Sequence, residues 1–149
     1  MMRGSSVHVY VIDANVWVSR WLKADEFHEP SYKWLFSLVE DRTPFAAPVL
    51  ILPEISGAVA RRSRSPKAGM QASSLIQAMP GIQLVSMDAS FARAAAGIAS
   101  SLGIRGAEAV YVALAKAIGY TLVTWDNEVL ARSNQVCRVS TPQAELQKL

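Results

Sequence analysis

Four of the twelve acidic residues stand in unusual company for surface charges. Asp13 follows VYVI, Glu54 follows VLILP, Glu108 lies within GAEAVYVALA, and Asp126 follows TLVTW. Carboxylates are seldom buried without partners, so acids joined to apolar runs belong at the edge of a core, where they can gather. Gathered, they repel one another and hold some of their protons more tightly unless a cation compensates. A hard divalent ion, Mg²⁺ or Mn²⁺, suits such an all-oxygen set, and Mg²⁺ commonly takes one or two carboxylates while keeping several waters. Neither histidine competes, since His8 sits in a strand-like run, His28 in an acidic stretch expected to be an exposed loop, and neither has zinc-like spacing. Asp25, Glu26, Glu29, Glu40, Asp41 and Glu145 have polar neighbours and read as surface charges, and Asp88 reads as a helix cap. The same plain reading is open at the first acid: Asp13 or Asn15 could cap the helix that opens with Val16–Trp17–Val18.

The elements that must carry these acids are written in the same stretches. VHVYVI, Val7 to Ile12, is β-branched and aromatic without polar alternation, the pattern of a strand covered on both faces. Further strands are expected near 82–86, 120–124 and 136–139, with a short one around Phe45–Ala47. Helices fill the gaps. The first long one is expected from Pro30 to Glu40, with Tyr32, Leu35, Phe36 and Val39 on one apolar face. The next runs through PEISGAVARR, starting near Pro48 or at Pro53, and another covers Lys67 to Ala78 before the MPG break. FARAAAGIASSL is capped by Asp88 or Ser90 and closed by Gly103, and RGAEAVYVALAKAIG is closed by Gly119.

Alternating strands and helices of this kind indicate an α/β fold around a mainly parallel sheet. In such a sheet the strand carboxyl ends share one rim, and ligands bind there where the strand order reverses. Asp13 and Asp126 end strands on that rim. Glu54 and Glu108, each in the first turns of a helix that follows a loop, can point into the same crevice.

At 149 residues and 51% hydrophobic composition, the chain is expected to form a single domain, 1–149, around one core. Its longest apolar stretch, Phe45 to Pro53, falls well short of the ~20 residues that cross a bilayer, and the run after Arg3 is too short for a signal peptide. A cytoplasmic protein is the resulting expectation. The lone Cys137, in VCRV, reads as an inert buried thiol with no intrachain partner. A net charge of +3 leans mildly toward anionic partners. RRSRSPK concentrates Arg61, Arg62, Arg64 and Lys67, either as a solvated helix end or as a contact to a phosphate backbone. Trp17, Trp21 and Trp34 read as packing residues of the core or of a dimer, whereas Trp125, beside Asp126, could touch a substrate base.

The ordered set IDAN, PEI, RGAEAVYVALA and TWD resembles the PIN domain, specifically the compact VapC-type toxin ribonucleases of toxin–antitoxin pairs. The resemblance runs from Val9 to about Ser140. It implies a three-layer α/β/α sandwich with a mainly parallel sheet of four to five strands, and a Mg²⁺ or Mn²⁺ nuclease site in which Asp13, Glu54, Glu108 and Asp126 are the metal ligands and catalytic acids. It also implies an RNA substrate, a homodimer and a cognate antitoxin. Asn15 and Thr124 match polar positions that orient a carboxylate or a metal-bound water. Glu108 stands where the family usually has aspartate, one methylene longer, which adds about 1.5 Å of reach.

The chemistry implied is phosphodiester hydrolysis, with a cation acidifying and orienting water against the phosphate. Two other readings fit parts of the chain. A strand followed by Asp-x-Asn also suits a phosphatase with an aspartate nucleophile, although Asn15 replaces the usual second aspartate and Glu54 and Glu108 are then unemployed. The other is a PIN-like module that binds RNA or protein with little or no catalysis.

Overall fold

The computed structural model describes residues 9–149, so Val7 and His8 of the expected first strand lie outside the described residues. Among the described residues five strands form one sheet: β1 (Tyr10–Ile12), β2 (Phe45–Pro48), β3 (Ile82–Val85), β4 (Thr121–Val123) and β5 (Val139–Ser140). Their order is β3-β2-β1-β4-β5 and every pairing is parallel. Tyr10 is in register with Phe45 on one side and Thr121 on the other, which makes β1 the central strand. Every residue of β1 and β2 is buried. Successive side chains point to opposite faces, so complete burial requires helices on both, the layering of an α/β/α sandwich.

The helices are α1 (Ala14–Trp21), α2 (His28–Glu40), α3 (Ile51–Ser63), α4 (Pro66–Ala78), α5 (Ala89–Leu102), α6 (Gly106–Ile118), α7 (Asn127–Arg132) and α8 (Pro142–Leu146). α6 is buried without a break from Glu108 to Ala115 and packs on β1, β2 and β4. A helix apolar on all sides is the expected product of AVYVALA. α3 begins at Ile51, between the two expected starts. Pro53 then occupies its first turn, where the missing N–H would have had no helical partner anyway. Gly103 and Gly119 close α5 and α6 at φ 66° and 71°, left-handed turns that a side chain disfavours. Asp88 caps α5, its Oδ1 accepting from Phe91 N at 2.8 Å.

Several expectations are corrected. The inner face of α2 is Ser31, Trp34, Leu35 and Leu38, while Tyr32, Phe36 and Val39 lie exposed. Hydrophobic spacing alone picked the wrong stripe because a serine belongs to the buried one. There Ser31 Oγ is paired with Ser19 Oγ at 2.7 Å and accepts from Trp125 Nε1 at 2.8 Å. His28 is not in a loop but opens α2, half-buried, with Nδ1 donating to the Ser19 carbonyl at 3.0 Å. Glu145 is not a surface charge. It is 4% exposed and accepts from Tyr10 Oη at 2.8 Å, Ser140 Oγ at 2.7 Å and Lys148 Nζ at 2.7 Å, tying α8 to β1 and β5. Trp17 and Trp34 are core residues and Trp21 packs at the core's edge. Cys137 is half-buried, and burial pushes its thiol up to about 11, which leaves it unreactive near neutral pH. Among the described residues no single helix is long and apolar enough to cross a membrane.

Candidate active site

After β1 the chain runs outward through β2 to β3, then returns to lay β4 on the other side of β1. The strand order therefore reverses between β1 and β4, and the carboxyl ends of this pair open onto a cleft. The cleft has a volume of about 670 Å³, and Asp13, Glu54, Glu108 and Asp126 all line it, although they arrive on four different elements. Among the described residues, no histidine or cysteine lines it.

Asp13 follows β1 directly, and its backbone N–H still donates to Val123 O at 3.0 Å, extending the parallel ladder by one step. Its side chain makes no helix-capping bond. Oδ2 instead accepts from Thr124 Oγ1 at 2.9 Å and from Asn15 Nδ2 at 3.3 Å. Asn15 Nδ2 also donates to Thr124 Oγ1 at 3.0 Å, and Asn15 Oδ1 accepts from Trp125 N at 3.1 Å. Asp126 N in turn donates to Thr124 Oγ1 at 3.0 Å. The fully buried Thr124 thus stitches the ends of β1 and β4 together through side chains, and Asn15 braces it. Burial pushes the Asp13 carboxyl up to about 7. The Thr124 hydrogen bond opposes this, and the charges of Glu54 and Asp126 add to it.

Glu54 reaches the cleft from the first turn of α3, where Oε1 accepts from Tyr111 Oη at 2.6 Å. Burial raises its carboxyl above the ordinary value, the Tyr111 bond pulls back, and Glu108 pushes in the same direction as burial. Glu108, three residues into α6, turns Oε1 back to accept from the backbone N–H of Arg105 at 3.0 Å, a common bond at a helix start. Its Oε2 takes the Arg105 guanidinium, from Nη2 at 2.8 Å and from Nε at 3.3 Å. Asp126 caps α7, with Oδ1 accepting from Val129 N at 3.0 Å, while Oδ2 meets Arg105 Nη2 at 3.4 Å. Burial works to raise Asp126, but backbone N–H groups and the Arg105 charge outweigh it and leave the carboxyl below its ordinary value.

A common plan links the four acids. Each has one oxygen anchored to the fold: Asp13 to Thr124 and Asn15, Glu54 to Tyr111, Glu108 to the Arg105 backbone, Asp126 to Val129. The second oxygens of Glu108 and Asp126 share Arg105, and those of Asp13 and Glu54 carry no side-chain hydrogen bond among the described residues. This donor set fits a hard divalent cation, being all oxygen and anchored through neutral donors on one oxygen of each acid, with Asp13 and Glu54 short of counter-charge. As the side chains lie, however, no three ligands among the described residues converge on one point.

Two residues of the site were not anticipated. Tyr111 sits three residues after Glu108 on the same face of α6, and Arg105, three residues before it, is the residue that precedes the helix; that spacing was the available signal. Of the basic cluster, Arg61 and Arg62 line the cleft and Arg64 does not. Arg62 Nη2 is 2.8 Å from Asp25 Oδ2, an acid expected to be free on the surface. Trp125 lines the cleft stacked on Phe27, ring centroids 4.1 Å apart and planes 8° apart.

The sequence matches the family model described as PIN domain over residues 10–134. No curated protein matches it. Similar solved structures include FitAcB from Neisseria gonorrhoeae (23% identity, TM-score 0.66, covering 90% of this chain and 98% of that one). VapC20 of Mycobacterium tuberculosis, described as a Sarcin-Ricin loop cleaving toxin, is similar at 15% identity and TM-score 0.69, covering 83% and 93%. A toxin–antitoxin complex from Klebsiella pneumoniae follows at 14% identity and TM-score 0.61, covering 91% and 97%. At these identities the likeness is one of fold.

Proposed function

The chain belongs to the PIN-domain family, and from that premise we propose that it is a Mg²⁺- or Mn²⁺-dependent ribonuclease, the toxin of a toxin–antitoxin pair. The observation that carries this reading is the convergence of four carboxylates from four elements on one cleft at the strand-order reversal. Asp13, Glu54, Glu108 and Asp126 would hold the ion, which when bound stabilises charge on the phosphate and acidifies water. The chain's own residues do the rest. Thr124 and Asn15 fix Asp13 Oδ2, so the carboxylate is held in one orientation with Oδ1 left to face the ion. Tyr111 holds Glu54 in a single orientation, which matters where catalysis rests on positioning. Arg61 and Arg62 offer the cleft positive charge for a phosphate backbone, and the Trp125 ring offers an aromatic surface for a base.

The toxin assignment and a cognate antitoxin draw support from the fold shared with the Klebsiella toxin–antitoxin complex and the Mycobacterium toxin; a homodimer and a cytoplasmic location are proposed with that reading. The test is cleavage of single-stranded RNA by purified protein with Mg²⁺ or Mn²⁺ and with chelator, against Asp13→Asn. Metal-dependent cleavage lost in the variant supports the reading. The hold of Arg105 on Glu108 and Asp126 gives a second reading its footing, a PIN-like module that binds RNA or protein without cutting. Absence of metal-dependent cleavage on every RNA tried would favour it.

A further inference from the structure

The cleft contains its own cation. Arg105 lies just before α6, and its guanidinium spans the second oxygens of Glu108 and Asp126, at 2.8 and 3.4 Å. Those are the oxygens that point away from the anchoring bonds, and therefore the ones a metal would need. The two carboxylates are mostly buried, at 10% and 20% side-chain exposure, whereas the Arg105 side chain is 78% exposed. Nothing in the core depends on where the guanidinium lies. The helix start does not depend on it either, because Glu108 Oε1 binds the Arg105 backbone N–H, which any residue but proline supplies. A cation that is charged at any working pH, tethered and free to swing is thus seated on half of the acid set.

We propose that Arg105 competes with the divalent cation: its guanidinium occupies the Glu108–Asp126 pair, has to swing off for a metal to take both, and so sets the concentration at which the site fills. The inference rests on the metal-site reading above. It also accounts for the absence of a converged ligand set among the described residues, since Glu108 and Asp126 are drawn to the guanidinium rather than toward Asp13 and Glu54.

Calorimetric titration of the full chain with Mn²⁺ tests it, comparing wild type with Arg105→Ala, Arg105→Lys and Arg61→Ala. Exposed ion pairs are weak, so the expected gain is modest: Arg105→Ala binds Mn²⁺ roughly threefold to tenfold more tightly than wild type. Arg105→Lys, which keeps the charge but loses the fork that spans two carboxylates, falls between them. Arg61→Ala removes the same charge from the same cleft without freeing either acid, and changes the affinity less than about twofold. Mn²⁺ affinity in Arg105→Ala equal to or weaker than wild type, or equal tightening by Arg61→Ala, overturns the competition while leaving the metal site standing. Failure of both wild type and Arg105→Ala to bind Mn²⁺ removes the metal site itself, and the inference with it.

Discussion

Raising the pH of a chelated sample from about 5 to about 8 should destabilise the protein, because Asp13 titrates inside that range in the folded state and below it in the unfolded one. The ordinary value is 3.8 and the folded one about 7. Between them the folded chain holds a proton that the unfolded chain has released, so stability falls as pH rises through the window. Carrying the group from 3.8 to about 7 corresponds to roughly 4 kcal/mol in all, at about 1.4 kcal/mol per tenfold in proton affinity, and roughly 2–3 kcal/mol of it falls between pH ~5 and ~8. For a domain of this size that is roughly 5–10 °C in Tm. Glu54 is also raised and adds in the same direction. Asp126 and Glu145 lie below their ordinary values, so the stability they contribute is lost only as pH falls beneath this window. Thermal melts in chelator across the range check the slope, with Asp13→Asn as control. The amide does not titrate, so its slope flattens and its Tm at the alkaline end equals or exceeds wild type. A chelated wild type as stable at pH ~8 as at ~5, or an Asp13→Asn protein with an unchanged slope, would show that Asp13 is not the strained acid of the cluster.

Three further outcomes follow from the packing and charge elsewhere in the fold. Gly69→Ala should destabilise by roughly 1–3 kcal/mol in urea, because its new methyl would lie 2.4 Å from Ser56 O and 3.0 Å from Ala60 Cβ where α4 crosses α3; stabilisation from helix propensity would refute that close approach. Glu145→Ala should cost roughly 1–3 kcal/mol by leaving the Tyr10 hydroxyl buried without its acceptor, and denaturation near neutral pH would detect it. Neutralising Arg61 and Arg62 should weaken RNA binding with little sequence preference and flatten its salt dependence by about one ion for each phosphate no longer neutralised, whereas Arg64→Ala, outside the cleft, should leave the slope unchanged.

The parts of this fold legible in the sequence were those set by neighbours along the chain. VYVI and TLV, without polar alternation, indicate strands covered on both faces, and the acids that follow them fall on the rim such strands share. RGAEAVYVALAKAIG indicates a helix, and Gly103 and Gly119 mark where their helices stop. What stayed hidden depends on residues far apart in sequence. Tyr10 and Glu145 are 135 positions apart, so nothing local distinguishes Glu145 from a tail charge. Asp25 and Arg62 meet across the cleft for the same reason. The inner face of α2 was missed because Ser31, polar by type, is made compatible with the core by Ser19 and Trp125, neither of which its own helix predicts.

Asp126 shows why the capping and functional readings of these acids need not compete. Its Oδ1 caps α7 through Val129 N, and its Oδ2 faces the cleft and Arg105, so a carboxylate with two oxygens serves the fold with one and the site with the other. Glu108 divides its oxygens in the same way, between the Arg105 backbone and the Arg105 side chain. This division governs what a substitution removes. An amide keeps one carbonyl oxygen as an acceptor, enough to retain the anchoring bond, and loses the charge that faces the cleft. Alanine removes both and leaves the anchoring donors, such as the fully buried Thr124 hydroxyl, without their acceptor. The amide and alanine variants at one position therefore separate the two roles. A loss of function common to both measures the cleft oxygen, and a loss of stability found only in alanine measures the anchor.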